Sequence, residues 1–239
     1  GRHRVTLSPS AVSDLLIYML WSSAARDAAE GRSAFSNPKG GTRVGEKLSD
    51  RKLNLATDPN LKGIETFDRV VNLGSSALGS AFDTGLKINR SDIISEGVLT
   101  ALASSRHAAL EAKLPFTPIT DNISLVDSDG HGSLAELACR MGEGLLITCL
   151  WYIREVDPQN LLLTGLTRDG VYVVSGGEII GATNNFRFNE SPIDMLSRVI
   201  DAGQTVPCLP REWAAWFSRA QVAPLTIEGF NLSTKSDAI

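Results

Sequence analysis

Gly144–Phe188 reads GLLITCLWYIREVDPQNLLLTGLTRDGVYVVSGGEIIGATNNFRF, and the order of its segments decides the fold. Leu145–Ile153 is an apolar run rich in β-branched and aromatic residues, well short of the roughly 20 residues of a spanning helix. Asp157-Pro158 breaks it, and Leu161–Thr167 follows. Arg168-Asp169-Gly170 reads as a tight turn, because Asp-Gly tolerates the positive φ that a hairpin needs. Val171–Val174 returns, Ser175-Gly176-Gly177 turns again, and Glu178–Ile180 opens another strand. The pattern is an antiparallel meander. Three or more such strands with one apolar face form a stable sheet.

Outward from this stretch, helices interrupt strands. Ser8-Pro9 is a helix start, with Ser as cap and Pro at the first helical position. Val12, Leu15, Leu16, Met19 and Leu20 recur at offsets of three and four, and Ile17 and Trp21 form a second apolar face, so the helix is expected to be buried. Residues 26–33 are expected to end it at Gly31. Residues 34–86 are loop-rich, with short strands at Lys52–Ala56 and Arg69–Leu73. Ile88–Leu102 reads as a hairpin around Ser95-Glu96-Gly97, and Ile123–Val126 as a strand. Ser133-Leu134-Ala135-Glu136 is a capping box. A helix after Ser191-Pro192 should turn Ile193, Leu196, Val199 and Ile200 inward. Arg211–Ala220 is expected to form a short helix bearing Trp213, Trp216 and Phe217, and Pro224–Leu232 the last strand. The whole reads as α+β, mostly antiparallel, with helices inserted between strands.

A 239-residue chain with 43% hydrophobic and 21% charged residues can bury its own core without staples. The net charge of −4 is spread along the sequence and supplies no concentrated basic patch, so nucleic acid is not an expected partner. Cys139, Cys149 and Cys208 are odd in number and lack CxxC spacing, which fits a reducing cytoplasm. No signal segment or membrane span is read.

Gly144-Leu145-Leu146, Asp157-Pro158, Leu163-Thr164-Gly165-Leu166-Thr167-Arg168-Asp169-Gly170, Gly177-Glu178-Ile179 and Asn185-Phe186-Arg187-Phe188 together resemble the TldD/PmbA family, metallopeptidase-related proteins also described as gyrase modulators. The resemblance runs in order from about Val5 to Leu232. It implies a barrel-like sheet, a single C-terminal-type domain over residues 1–239, and a further upstream domain that this chain does not carry. Gly1, which is not Met, then reads as a fragment boundary. In the peptidase branch, a helix near this chain's start carries His-Glu-x-x-x-His. Placed from Leu15-Leu16, the two histidines become Ile17 and Ser22 and the Glu becomes Tyr18. The resemblance therefore implies a branch like PmbA (TldE), without its own cofactor, beside a zinc-bearing sister subunit.

Other residues could carry chemistry. Cys208 lies where the active branch places a cysteine, but in a different local sequence; a small buried or loop cysteine is the plainer reading. His131 sits in Asp127-Ser128-Asp129-Gly130-His131-Gly132, equally a ligand cluster and a turn before a helix cap. His107 and His3 read as surface residues. Cys149 lies in an apolar strand, where burial makes a thiol inert. Arg168, Asn184, Asn185 and Arg187 could bind a peptide or partner chain, or could serve as turn and surface residues. No catalytic set is assigned.

Three functions compete on these residues. The first is a metal-free subunit of a two-component peptidase, working with a TldD-like sister on a peptide substrate. The second is a stand-alone amide or peptide hydrolase acting on a peptide or a biosynthetic intermediate. The third is a module that captures extended peptides at a sheet edge.

Overall fold

The computed structural model describes residues 1–236. In chain order the strands and helices are β1 (Arg2–Leu7), α1 (Pro9–Trp21), α2 (Ala25–Ala29), β2 (Leu53–Thr57), β3 (Ser91–Ser95), β4 (Val98–Leu99), α3 (Arg106–Ala112), β5 (Asn122–Asp127), α4 (Leu134–Met141), β6 (Gly144–Asp157), β7 (Leu162–Ser175), β8 (Glu178–Ala182), β9 (Asn185–Glu190), α5 (Pro192–Leu196), β10 (Val199–Ala202), β11 (Val206–Cys208), β12 (Arg219–Val222) and β13 (Leu225–Ser236). Strands β1, β6, β7, β9 and β13 pair in that order, and β13 pairs back to β1 to close a five-stranded barrel. Only β1–β6 is parallel within it. Strand β8 extends the barrel on β7, and β10 lies on β13. A second sheet runs β11-β12-β5-β2-β3-β4.

The α+β reading with a barrel-like sheet holds. Helix α1 packs against β1 and β6 of the barrel and against β11 and β12 of the second sheet. Its apolar residues join one continuous core that takes in Leu150, Leu163, Phe188 and Phe230 from the barrel and Leu55, Ile123 and Leu125 from the second sheet. That position explains a helix apolar nearly all round: both of its sides are covered.

Strand and turn chemistry follows the sequence closely in places. Gly176 and Gly177 take φ of 59° and 81°, and Glu96 and Gly97 take 50° and 80°, the paired positive values of hairpin turns that match strand twist. Ser133 and Glu136 form the reciprocal capping box, and Gly142 ends α4.

Several expectations fail for physical reasons. Arg168-Asp169-Gly170 is not a hairpin turn, because β7 passes straight through it. Ile147 pairs with Val171 and Cys149 with Arg168, so Asp169 and Gly170 together face Thr148. This is a β-bulge: Asp169 at φ 57° and Gly170 at φ 150° absorb one extra residue within a continuing strand. The Thr148 hydroxyl donates to the Gly170 carbonyl at 3.0 Å. Helix α1 stops at Trp21 rather than Gly31, where the Ala24–Ala103 bridge draws the chain out. Helix α5 ends at Leu196, and Val199 and Ile200 belong to β10, with Ile200 exposed. Residues 211–216 form turns instead of a helix, and Arg219–Val222 is a strand parallel to β5. Arg69–Leu73 makes only an isolated bridge from Arg69 to Lys87. No helix of the described residues is long and apolar enough to cross a membrane.

Candidate functional site

Helix α1 organises the site. The Ser8 hydroxyl accepts from the Ala11 N–H at 3.2 Å and donates to the Thr148 carbonyl at 2.6 Å, so one cap fixes the helix to β6. Of the three positions that the family resemblance marks, Ile17 is fully buried. Tyr18 and Ser22 are half-buried. The Tyr18 hydroxyl is pushed above the usual phenol range, first by burial and then by the nearby Glu155 carboxylate. Ser22 donates back to the Tyr18 carbonyl at 3.0 Å, a helix-end contact that occupies its hydroxyl proton.

The loop after β11 is clamped to the same helix. The buried Asp14 carboxylate accepts the backbone N–H groups of Arg211 at 3.2 Å and Glu212 at 3.1 Å, while the Trp213 indole N–H donates to the Asp14 carbonyl at 2.9 Å. Burial pushes the Asp14 carboxyl up to about 8, against the lowering effect of those backbone donors. Glu212 in turn accepts from the N–H groups of Tyr152 at 2.8 Å and Ile153 at 3.1 Å. The Trp213 ring meets Tyr18 tilted at 5.7 Å and Trp21 edge-to-face at 5.1 Å, and Phe217 meets Trp21 edge-to-face at 6.3 Å.

The donor chemistry around α1 does not fit a metal. Ile17 has no donor atom, and Tyr18 and Ser22 offer only neutral hydroxyls. Cys208 lies against Ser13, one turn before Ile17 on the same helix side, and burial raises its thiol to about 11. Cys149 is buried, and burial first, then Asp169, raises it to about 12, so neither thiol is a ready nucleophile. Among the described residues, no three His, Cys, Asp or Glu side chains gather as a ligand set. His131 is an exposed turn residue with Nδ1 at 3.1 Å from the Asp129 carbonyl. Its neighbour Asp127 is buried against Arg51, and Asp129 faces Lys52 at 3.4 Å. His107 is exposed on α3 beside Glu111.

A cleft of about 490 Å³ opens at the C-terminal end of α1, walled by Trp21, Phe67, Val70, Ile88, Phe116 and Ile119. The loop-rich region read from residues 34–86 builds one side of it. Its buried Asp83 holds the Arg106 N–H at 3.0 Å and the Arg106 guanidinium at 2.6 Å, pinning this loop to α3.

The polar residues read from the meander lie on another face, outside the barrel. Trp151, Leu166 and Arg187 form one row across β6, β7 and β9. Arg168 pairs with Cys149, two residues along β7 from Leu166. Arg187 Nη1 reaches Thr164 Oγ1 at 3.4 Å. Asn184 is exposed at the break between β8 and β9, and Asn185 accepts from the Thr167 hydroxyl at 3.3 Å. Arg168, Asn185 and Arg187 are thus brought together on adjacent strands, and Asn184 borders them. Sequence reasoning missed Asp14 and Glu212. The one available signal was a carboxylate inside an otherwise apolar helix, which must find donors when buried.

These features define a closed five-stranded barrel with a buried helix packed against it, and the sequence comparison gives its family. The chain belongs to the PmbA/TldA metallopeptidase C-terminal domain family, whose profile matches residues 1–234. Similar solved structures include a protein from Thermotoga maritima assigned as a modulator of a DNA gyrase (17% identity, TM-score 0.71, covering 97% of this chain and 49% of that one). A Bacteroides thetaiotaomicron protein assigned likewise has 15% identity and TM-score 0.71, with 98% and 47% covered. TldE from Thermococcus kodakarensis has 13% identity and TM-score 0.71, with 96% and 50% covered. The chain spans about half the length of these relatives, and the likeness at such identity is one of fold. No curated protein matches the sequence significantly.

Proposed function

We propose that this chain is the metal-free subunit of a TldD/PmbA-type two-component peptidase, assisting a zinc-bearing sister that hydrolyses peptide or amide bonds. The observation that carries the reading is the replacement of the whole ligand-and-base set on α1. A hydrolytic zinc site needs about three protein ligands and a base to manage the water proton. Ile17, Tyr18 and Ser22 provide neither. Membership of the family and the likeness to a TldE support the same branch. In this reading the aromatic wall and cleft beside Trp21 form part of the substrate's path.

Co-expression with a metal-bearing TldD-like sister tests the proposal. The complex should hold zinc and cleave peptides, and a chelator should abolish cleavage. Stoichiometric zinc and turnover in the isolated chain would overturn it.

A second reading, capture of extended peptides without turnover, draws on β8. This strand pairs only with β7 among the described residues, and all five of its residues are exposed, Ile179 at 54% and Ile180 at 66%. An open edge of this kind is a template for an added strand. Peptide binding that persists without hydrolysis after the sister is added would select it.

A further inference from the structure

We propose that the outer barrel face around Arg168 and Arg187 is a carboxylate-recognition site for an extended peptide, with Trp151 and Leu166 as the platform for the neighbouring apolar side chain. The inference rests on the reading that peptides are what this chain handles, and it adds the chemistry by which one is held.

Four arginines gather on this face, and the nearby carboxylates neutralise only two. Arg211 stands over the Trp151 ring at 5.0 Å and faces Asp169 at 3.5 Å. Arg154, opposite Thr164, faces Glu212 at 3.3 Å. Arg168 and Arg187 have no carboxylate in ion-pair reach among the described residues, and the recorded polar partner of Arg187 is the neutral Thr164 hydroxyl. Two positive charges are therefore left open on a chain whose net charge is −4.

The register sets their spacing. Arg187 lies opposite Leu166, and Arg168 is two residues beyond Leu166 on the same side of β7, so the pair are diagonal neighbours about 7–8 Å apart at Cα. Long side chains at that separation can close on one carboxylate, the geometry that a guanidinium fork favours. Beside them, Trp151 and Leu166 are half-buried and present apolar surface. Arginine and tryptophan side by side are the residue types that dominate binding energy at interfaces. The carboxylate could be a chain terminus or an acidic side chain; both offer the same two oxygens.

The test uses three short labelled peptides of one apolar sequence, followed by fluorescence anisotropy with the full chain. The first has a free C-terminus, the second an amidated C-terminus and one internal Glu, and the third an amidated C-terminus with Gln in place of Glu. Preference for the first assigns the terminus, and preference for the second assigns the side chain. In either case R168Q/R187Q should weaken the preferred peptide by about tenfold or more and leave the Gln peptide unchanged. R168K/R187K should fall between, because lysine keeps the charge and loses the fork. The exposed single variant R187Q carries the test if the double variant misfolds. Equal affinity of the wild type for all three peptides, unaltered affinity in R187Q, or equal competition by a DNA duplex would overturn the proposal. Co-purification of the same variants with the zinc-bearing sister reads the subunit role separately. Retained assembly with no peptide discrimination rejects only the carboxylate site. Discrimination without assembly rejects only the subunit reading.

Discussion

Asp14 and Glu212 hold one loop from its two sides. Asp14, buried in α1, accepts the N–H of Glu212 at 3.1 Å, while the Glu212 carboxylate reaches past it to accept Tyr152 N–H on β6 at 2.8 Å. Helix, loop and barrel are thus joined by two carboxyl groups in series. The aromatic contacts of Trp213 with Tyr18 and Trp21 depend on that junction.

The junction gives stability a definite pH dependence. The Asp14 carboxyl titrates near 8 in the folded chain and near 4 when unfolded. Between those values the folded chain binds the extra proton, so this group's contribution is fully present below about pH 4 and is lost as pH rises through about 8. Asp14→Asn should flatten that part of the profile, whose slope is at most about 1.4 kcal/mol per pH unit. Urea unfolding at pH 5 and pH 8 measures it; an unchanged slope would show that Asp14 does not titrate there.

Trp213→Ala should destabilise the chain by about 3–5 kcal/mol. The side chain is 8% exposed, contacts two aromatic rings, and donates its indole N–H to the Asp14 carbonyl. Denaturant midpoints of the purified variants report the loss, and Trp216→Ala, at 72% exposure, serves as the contrast with little change.

Gly165 is glycine for a packing reason. A Cβ there would meet the Phe188 ring at 2.6 Å and the Trp151 carbonyl at 2.9 Å, because Phe188 is its cross-strand partner and lies over the bare backbone. Gly165→Ala should cost about 1–3 kcal/mol through overpacking. Pairing it with Phe188→Leu should recover part of the loss in a double-mutant cycle.

Rebuilding the metal motif should fail unevenly. Ile17→His places an imidazole in a fully buried apolar site, where an unpartnered polar group costs about 1–3 kcal/mol, in addition to lost packing. Ser22→His sits at a half-exposed helix end and should leave the melting temperature nearly unchanged. Thermal melts of the two single variants test the contrast.

Duplex DNA should not bind at micromolar concentration in moderate salt. Non-specific affinity comes from many phosphate contacts, and the net charge is −4. Gel shifts across a salt series check this; strong binding that weakens steeply with salt would contradict it.

By itself the sequence determined what local chemistry controls. Ser8-Pro9 could only start a helix, Ser133 and Glu136 only cap one, and Gly176-Gly177 supplied the positive φ of a hairpin. The family was also legible, and so was the chemistry that Ile17, Tyr18 and Ser22 can offer, since side-chain identity alone decides whether a donor atom exists. Tertiary structure decided the rest. Whether Asp169-Gly170 turned the chain or merely bulged it depended on Val171 continuing the β6 ladder at Ile147, a contact between residues 24 apart in sequence. Residues 211–216 form turns anchored through Asp14, nearly two hundred positions away, which accepts the N–H groups of Arg211 and Glu212. Arg168 and Arg187 became neighbours only through the β7–β9 register. Backbone donors, strand register and burial are shared across distant segments, so no local window of sequence contains them.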